Sequence, residues 1–119
     1  MHPNIIFFLI DGLRADQCFG KDKTSLTPNI DSLRKKGTYF TNAFTSVDGT
    51  LLSLSAIFHS IYPIKTPMAR NKLTLQKNNL FDILAKNGYE INGLVPDLKS
   101  FTDYIKYFEN DIKTYDYFE

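Results

Sequence analysis

An uninterrupted apolar segment near the start of the sequence places the strongest constraint on the fold. Residues 5–10 read Ile-Ile-Phe-Phe-Leu-Ile, and the turn dipeptide Asp11-Gly12 follows directly. A short segment that is apolar on both faces and closed by a turn is typical of a strand buried on both sides of a parallel sheet. It is too short to cross a bilayer, which takes about 18 residues, and neither a cationic leader nor a small-residue cleavage site accompanies it. We therefore expect a buried parallel strand, no membrane segment and a cytoplasmic location.

Helical and strand patterns alternate after this segment. Apolar spacing and terminal signals predict helices over residues 27–36, 50–60, 79–87 and 100–108, and aromatic or β-branched content predicts strands over residues 38–44 and 89–95. In two of the helices the spacing also predicts the inward side chains, which are Leu51, Leu54, Ile57 and Phe58 in one and Leu80, Ile83 and Leu84 in the other. No ordered element is predicted for the last eleven residues.

The order of these elements defines the expected fold class. Strands alternating with helices open an α/β fold, in which helices cover a mostly parallel sheet. Two long buried strands are fewer than the roughly five of an average sheet. We therefore expect residues 1–119 to form the N-terminal portion of one larger α/β domain whose sheet is incomplete here. An unpaired strand edge and an apolar face then favour self-association or pairing with the missing part of the domain.

Composition excludes several classes of protein. Hydrophobic residues make up 43% of the 119 residues and charged residues 23%, which is usual for a globular chain and unlike a disordered tail. Fourteen basic and thirteen acidic side chains leave a formal charge of +1, so no charge excess points to nucleic acid as a partner. The single Cys18 excludes an internal disulfide.

Asp11 stands at the carboxyl end of the first predicted strand, the edge at which open α/β sheets bind their ligands. Its carboxylate is a hard oxygen ligand, suited to a divalent cation. An Asp-Gly pair also forms ordinary turns without any ligand, and position alone favours that second interpretation.

Thr50 follows Asp48-Gly49 and begins a predicted helix. A hydroxyl at this place lies beside the free N–H groups and the positive end of the helix, which favour a bound phosphate or sulfate. It could act as a nucleophile where a metal ion promotes its ionisation. The plainer interpretation is a helix N-cap, and Thr50 taken alone favours it. We expect the later Ser53 and Ser55 to face solvent or to bond back to a helix carbonyl.

Other polar residues are weaker candidates. His59, at the end of the same helix, is expected to cap carbonyls in its charged form; a ligand or general-acid role is the lesser alternative, because no second His or Cys stands at ligand spacing. Arg14 could clamp an anion, but a surface ion pair with Asp16 is the favoured interpretation. Lys65 and Arg70 could meet an anionic substrate or stay solvated.

The residues Thr-Pro-Asn-Ile-Asp-Ser-Leu at 27–33, followed by Gly37 and by Phe-Thr-Asn-Ala-Phe at 40–44, form the most specific pattern in the chain. Residues 4–16, 50–63 and 80–89 add weaker blocks. Over residues 4–95 these blocks resemble the sulfatase family of the alkaline phosphatase superfamily. The resemblance implies an alkaline phosphatase-like α/β fold, a metal-binding role for Asp11 and the nucleophile position for Thr50.

Three departures from the family pattern bear on the reaction. Sulfatases usually have two adjacent aspartates where this chain has Asp11-Gly12, and a Lys-x-His where residues 94–97 read Leu-Val-Pro-Asp. Their nucleophile is a Cys or Ser converted to formylglycine within Cys-x-Pro-Ser-Arg, whereas residues 50–54 read Thr-Leu-Leu-Ser-Leu. Threonine cannot yield that aldehyde. A Thr at this place resembles instead the phosphoethanolamine and phosphoglycerol transferases and the nucleotide pyrophosphatases of the same superfamily, which use it to attack phosphorus.

The resemblance thus implies a metal-dependent hydrolase or transferase of sulfuric or phosphoric esters. Thr50 is the expected catalytic residue, and Asp11 and Thr50 are the expected ligands of a divalent cation, for which Mg²⁺, Mn²⁺, Ca²⁺ and Zn²⁺ all qualify. The family's downstream Asp and His ligands have no counterpart in the sequence, so we expect the isolated chain to hold an incomplete site. Two alternatives stay open: a noncatalytic α/β module that binds a partner chain, and a small anion-binding module that uses the Thr50 helix end alone.

Overall fold

The polypeptide divides after residue 43 into two units. The computed structural model describes residues 2–63 and 74–116, and the units comprise Met1–Ala43 and Phe44–Glu119. Short helices occur in both units, and the second unit also contains a pair of parallel strands. Helices together with a parallel sheet of only two strands agree with the predicted fold class, an α/β fold whose sheet is incomplete.

The first unit contains helices α1 (Ala15–Cys18) and α2 (Pro28–Lys36). Helix α2 confirms the predicted helix, but the Thr27 side chain does not cap it. The Thr27 Oγ1 accepts instead a hydrogen bond of 3.0 Å from Lys23 Nζ, which also pairs with the Asp31 carboxylate. This lysine ties the preceding loop to the first turn of α2, and its hydrogen bond holds the pKa of Asp31 below the usual value.

The predicted strand over residues 5–10 is absent from the structure. None of these residues belongs to a strand, and each exposes between 52% and 82% of its surface. A strand that is apolar on both faces is stable only between neighbouring strands, and the described residues supply none beside it. The strand predicted over residues 38–44 is absent too, with Phe40 and Phe44 exposed, for the same reason.

The elements of the second unit are α3 (Thr50–His59), α4 (Leu80–Lys86), β1 (Val95–Pro96), a 3₁₀ turn (Lys99–Phe101), α5 (Thr102–Ile105) and β2 (Thr114–Tyr115). Helices α3 and α4 confirm the two helices predicted over this region. The helix predicted over residues 100–108 is shorter and follows a 3₁₀ turn. In the described ranges, no helix combines the length and the apolar character that a membrane crossing requires.

Four aromatic side chains and one leucine form the core of the second unit: Leu54, Phe58, Phe81, Tyr104 and Phe108. The ring of Phe58 has its centroid 4.9 Å from that of Phe81 and 5.3 Å from that of Tyr104. Tilted and edge-on pairs of this kind add about 0.5–1.5 kcal/mol each beyond the area they bury. Leu54 and Phe58 confirm the predicted inward face of α3.

Four side chains that were predicted to face inward are not buried. Ile57 of α3 is about half exposed. In α4 the buried residue is Phe81, whereas Leu80 and Ile83 expose 36% and 50% of their surface and Leu84 is only half-buried. The large ring of Phe81 takes the core position, so the smaller side chains beside it are left towards the rim.

The strand predicted over residues 89–95 is regular only at its end. Val95 pairs with Thr114 and Pro96 with Tyr115 in a parallel register. This ladder includes β2, which lies among the last eleven residues, where no element was predicted. A strand of two residues carries no periodic sequence signal.

An asparagine side chain extends this pairing upstream. The Gly93 N–H donates to Asn110 Oδ1 at 2.8 Å, and Asn110 Nδ2 donates back to the Gly93 carbonyl at 2.9 Å. Further upstream the Glu109 N–H donates to the Ile91 carbonyl at 2.8 Å. Residues 91–97 are therefore bonded along their length to residues 109–115, although most of these bonds fall outside a regular ladder.

Candidate functional site

Thr50 is the first residue of α3, and Gly49 is its N-cap. Gly49 has a φ of 82° and a ψ of 143°, a backbone conformation that glycine adopts far more readily than other residues. The Ser53 N–H donates to the Gly49 carbonyl at 3.1 Å and closes the first turn. The interpretation of Thr50 as the N-cap is therefore wrong, because the chain turns into the helix one residue earlier.

An open pocket of about 250 Å³ lies at this helix end, lined by Asp48, Gly49, Thr50, Leu51 and Leu52. Thr50 is exposed. The N–H groups of the first three helical residues have no acceptor within a helix, and glycine has no side chain to supply one. The pocket therefore combines a hydroxyl, free N–H donors and the positive end of the helix, which together can receive a tetrahedral anion.

Two further hydroxyl groups hold the loop in front of Thr50. Ser53 Oγ donates to the Val47 carbonyl at 3.1 Å and lies 3.1 Å from Thr45 Oγ1. Thr45 Oγ1 donates to the same carbonyl at 2.7 Å and accepts from the Val47 N–H at 3.4 Å. Ser53 was expected to face solvent or to bond back within the helix; it instead reaches out to the preceding loop. The sequence signal was a threonine and a serine at either end of a glycine turn, which no known motif marks.

Ser55 and His59 belong to the packing of α3. Ser55 is 3% exposed, which excludes the first of its two expected arrangements, facing solvent. His59 Nε2 accepts from the Gln76 N–H at 2.9 Å, and Nδ1 donates to the Ser55 carbonyl at 2.8 Å. The ring therefore bonds to a helix carbonyl, as expected, and through its other nitrogen to a backbone N–H beyond the helix. His59 links the end of α3 to residue 76.

Asp11 lies in a turn with Gly12 in the first unit and is exposed. Arg14 and Asp16 form the predicted surface pair, with Arg14 Nε 3.0 Å from one Asp16 oxygen and an Arg14 terminal nitrogen 2.5 Å from the other. This hydrogen bonding lowers the pKa of Asp16 and raises that of Arg14. Lys65 and Arg70 lie outside the described residues.

Arg34, in the last turn of α2, is held by aromatic rings. The Arg34 guanidinium carbon lies 5.4 Å from the ring centroid of Phe19 and 5.5 Å from that of Tyr39. These two rings are themselves 5.0 Å apart. Cation–π contacts of this kind stabilise an exposed site by about 0.5–1 kcal/mol, and they account for Arg34 as a packing residue of the first unit.

The donors available for a divalent cation are of a suitable kind and few in number. The Asp11 carboxylate and the Thr50 hydroxyl both offer the oxygen that Mg²⁺ and Ca²⁺ prefer. Among residues 2–63 and 74–116, no three His, Cys, Asp or Glu side chains come together as a ligand group. Asp11 and Thr50 each offer one donor of that kind, whereas catalytic metal sites take about three protein ligands or more.

Comparisons with known proteins agree on one family. Residues 3–116 match the Sulfatase family. An ulvan-active sulfatase of Formosa agariphila is 36% identical over 93 residues, which are 75% of this chain and 18% of that protein. An arylsulfatase of Clostridium perfringens is 36% identical over 59 residues, which are 48% of this chain and 12% of that protein. No solved structure matches the chain significantly.

The chain spans less than a fifth of the length of either relative. The family match nevertheless covers almost the whole sequence, including the Asp11 turn and the start of α3 at Thr50. The resemblance seen in the sequence is thereby confirmed, and the chain belongs to the sulfatase family.

Proposed function

We propose that this chain contributes the nucleophile to a sulfatase-type domain that cleaves or transfers a sulfate or phosphate ester, with Thr50 as the attacking residue. The observation that carries the proposal is the position of Thr50, exposed at the first residue of α3 beside the pocket of residues 48–52. Membership of the sulfatase family supports ester hydrolysis as the general reaction. The names of the two relatives, an ulvan-active sulfatase and an arylsulfatase, favour a sulfate ester as the substrate.

In this proposal the Thr50 oxygen attacks sulfur or phosphorus in line with the bond to the leaving oxygen. The hydroxyl proton leaves, a bond forms from Oγ1 to the central atom, and the bond to the ester oxygen breaks. The departing alkoxide takes up a proton and leaves as an alcohol. Water or an acceptor hydroxyl then cleaves the covalent ester and restores Thr50. The free N–H groups of Leu51 and Leu52 would stabilise the nonbridging oxygens in this proposal.

Asp11 is proposed as a ligand of the divalent cation. A bound cation promotes ionisation of a hydroxyl and neutralises charge on the nonbridging oxygens. The Asp11 carboxylate would supply an oxygen ligand to such an ion. We propose a divalent ion that binds oxygen ligands. Mg²⁺, Mn²⁺ and Ca²⁺ have the strongest preference for such ligands.

The test is to trap the covalent ester. Residues 1–119 and the longest natural polypeptide that contains them are incubated with p-nitrophenyl sulfate or p-nitrophenyl phosphate and a divalent cation, then acid-quenched and analysed by peptide mass spectrometry. We expect an adduct on Thr50. The same two substrates distinguish sulfur from phosphorus chemistry.

Variants at the same position separate a nucleophile from a helix residue. Thr50→Ser should retain an adduct, whereas Thr50→Ala should lose it. Thr50→Ala should also leave the free energy of unfolding within about 0.5 kcal/mol, because Gly49 and not Thr50 is the N-cap. Ser46→Ala, in the same loop, is the matched control. An adduct on another residue, or full turnover by Thr50→Ala, contradicts the proposal.

One observation favours a second candidate, a noncatalytic module that pairs with another chain. Residues 5–10 present six consecutive apolar side chains, all more than half exposed, and patches of that kind mark association surfaces. In this candidate the segment becomes a strand when a partner supplies neighbours on both sides. It requires association without an adduct on Thr50, so the trapping experiment also decides between the two.

A further inference from the structure

The turn into α3 is held without an ordinary capping side chain. A Ser, Thr, Asp or Asn at the N-cap would accept a hydrogen bond from the second or third helical N–H, here that of Leu51 or Leu52. Gly49 cannot do so. Instead, the hydroxyl groups of Thr45 and Ser53 hold the loop, because both donate hydrogen bonds to the Val47 carbonyl. The pocket therefore keeps its N–H donors free while the loop beside it stays fixed.

Ser53 connects the helix to the loop twice. Its backbone N–H donates to the Gly49 carbonyl at 3.1 Å, and its hydroxyl donates to the Val47 carbonyl at 3.1 Å. These two carbonyls lie on either side of Asp48, which lines the pocket. A single residue thus fixes both ends of the short segment that leads into Thr50.

We propose that Thr45 and Ser53 are positioning residues for Thr50. Together they form a clamp, defined by their two hydroxyl groups and the Val47 carbonyl, that sets the direction of the Thr50 side chain and of the N–H groups beside it. The role given to Thr50 rests on the proposed function. The clamp itself rests on four hydrogen-bonding contacts within one loop and one helical turn.

The two hydroxyl groups are expected to act as one unit. Thr45 donates its proton to the Val47 carbonyl, and Ser53 donates its proton either to that carbonyl or to Thr45 Oγ1. Loss of either hydroxyl removes contacts that the other shares. The effects of removing them should therefore not add, as is usual for residues of one hydrogen-bond network.

The experiment measures amide hydrogen exchange by NMR in the full chain, for the wild type, Ser53→Ala, Thr45→Val and the double variant. We expect each single variant to raise the exchange rate of the Ser53 N–H, which donates to the Gly49 carbonyl, by about fivefold, as loss of one net hydrogen bond implies. The double variant should raise this rate no further than the larger single effect. Rates in α4 should not change, which shows that the variants remain folded.

Conservative variants and a matched control exclude a merely general loss of stability. Ser53→Thr and Thr45→Ser keep the hydroxyl groups and should restore wild-type rates. Ser46→Ala removes a hydroxyl from the same loop that makes none of these contacts and should change nothing. In the longest natural polypeptide, the rate of adduct formation on Thr50 should fall about tenfold in Ser53→Ala, with little change in KM, and recover in Ser53→Thr.

The outcomes separate this inference from the proposed function. Unchanged exchange of the Ser53 N–H in Ser53→Ala overturns the clamp, whatever Thr50 does. Raised exchange with no adduct on Thr50 in the wild type supports the clamp and overturns the proposed function. Raised exchange with an unchanged rate of adduct formation on Thr50 overturns the positioning role.

Discussion

Gly93 lies so close to Phe108 that a β-carbon on Gly93 would stand 2.3 Å from the Phe108 Cζ. The approach follows from the double hydrogen bond between the Gly93 backbone and the Asn110 side chain, which draws residues 91–97 against residues 109–115. Phe108 is at the same time a core residue. Gly93, which has no side chain, therefore bonds to Asn110 and also lies against the core residue Phe108.

Replacing Gly93 by alanine should destabilise the second unit. The added methyl group would overlap the Phe108 ring, and relief requires the ring or the backbone to move, at a cost of about 1–3 kcal/mol. Urea unfolding followed by circular dichroism measures the loss. Gly37→Ala is the control, because a β-carbon there meets only one atom, at 3.3 Å. Combining Gly93→Ala with Phe108→Leu should recover part of the loss; no recovery would argue against overlap as the cause.

Helices were predicted well from the sequence because their signals are local. The Pro28 start of α2, the Gly49 turn before α3 and the Asn79 cap before α4 all lie within a few residues of the helices they begin. Apolar spacing also predicted two of the core residues, Leu54 and Phe58. These features depend on neighbouring residues in the sequence and not on distant parts of the fold.

Strands were predicted poorly because their stability depends on partners. Residues 5–10 have the composition of a buried strand, but the described residues place no strand beside them. Residues 91–97 find a partner in residues 109–115, yet a side chain, that of Asn110, supplies part of the bonding. Composition alone specifies neither the segment that pairs with residues 91–97 nor the use of a side chain in place of backbone groups.

Of the two candidate site residues, Thr50 has its predicted place at a helix start, whereas the strand predicted to end at Asp11 is absent. Thr50 was correctly placed at a helix start, because Asp48-Gly49 marks a turn. The contact between Thr45 and Ser53 was not predicted, since it spans eight positions and crosses a glycine whose φ only the structure gives. The hydrogen bond from the Gln76 N–H to His59 was not predicted either, since it spans 17 positions.

Truncating Asn79 should cost more than losing an ordinary helix cap. Asn79 is fully buried; its Oδ1 accepts from the Asp82 N–H at 3.0 Å, and its Nδ2 donates to the Gln76 carbonyl at 2.8 Å and to the Tyr107 hydroxyl at 3.1 Å. Asn79→Ala removes these three hydrogen bonds from a buried position, so we expect a loss of about 2–3 kcal/mol in the free energy of unfolding.

Two further variants identify the cause of that loss. Asn79→Asp keeps the cap acceptor but removes the donor and places a second carboxylate near Asp82, so it should also be destabilising. Asn92→Ala, at an exposed site, should change stability by less than about 0.5 kcal/mol. If Asn79→Asp were as stable as the wild type, the donor bonds of Asn79 would be shown to contribute nothing.

The exposed apolar segment should make the isolated chain self-associate. Residues 5–10 expose more than half of each apolar side chain, and such surface is removed from water when molecules associate. Sedimentation velocity at increasing concentration should show species larger than 13.7 kDa. Phe8→Ser and Ile6→Ser should shift the distribution towards the monomer, whereas Leu26→Ser, an isolated apolar residue that is 96% exposed, should not. A monomer at all concentrations contradicts the prediction.

Tyr104 should weaken the fold at high pH. It is 2% exposed, and among the described residues its hydroxyl has no hydrogen-bond partner. Burial raises its pKa far above the ordinary value of 10.0. Below pH 10 the Tyr104 hydroxyl keeps its proton in the folded and the unfolded chain, so it does not make the free energy of unfolding depend on pH. Above pH 10 the unfolded chain loses this proton while the folded chain keeps it, so the free energy of unfolding falls as the pH rises.

Tyr104→Phe removes both the ionisable group and the unpaired hydroxyl. At pH 7 the variant should be as stable as the wild type or more stable, by up to about 1–2 kcal/mol, because an unpaired buried hydroxyl is costly. Between pH 9 and 11 its stability should fall less steeply than that of the wild type, as urea unfolding at each pH will measure. Tyr107→Phe is the contrast, since the Tyr107 hydroxyl donates to Asp82 at 3.0 Å and its loss should destabilise at pH 7. Equal slopes for Tyr104→Phe and the wild type above pH 10 would mean that the Tyr104 hydroxyl reaches solvent in the folded protein.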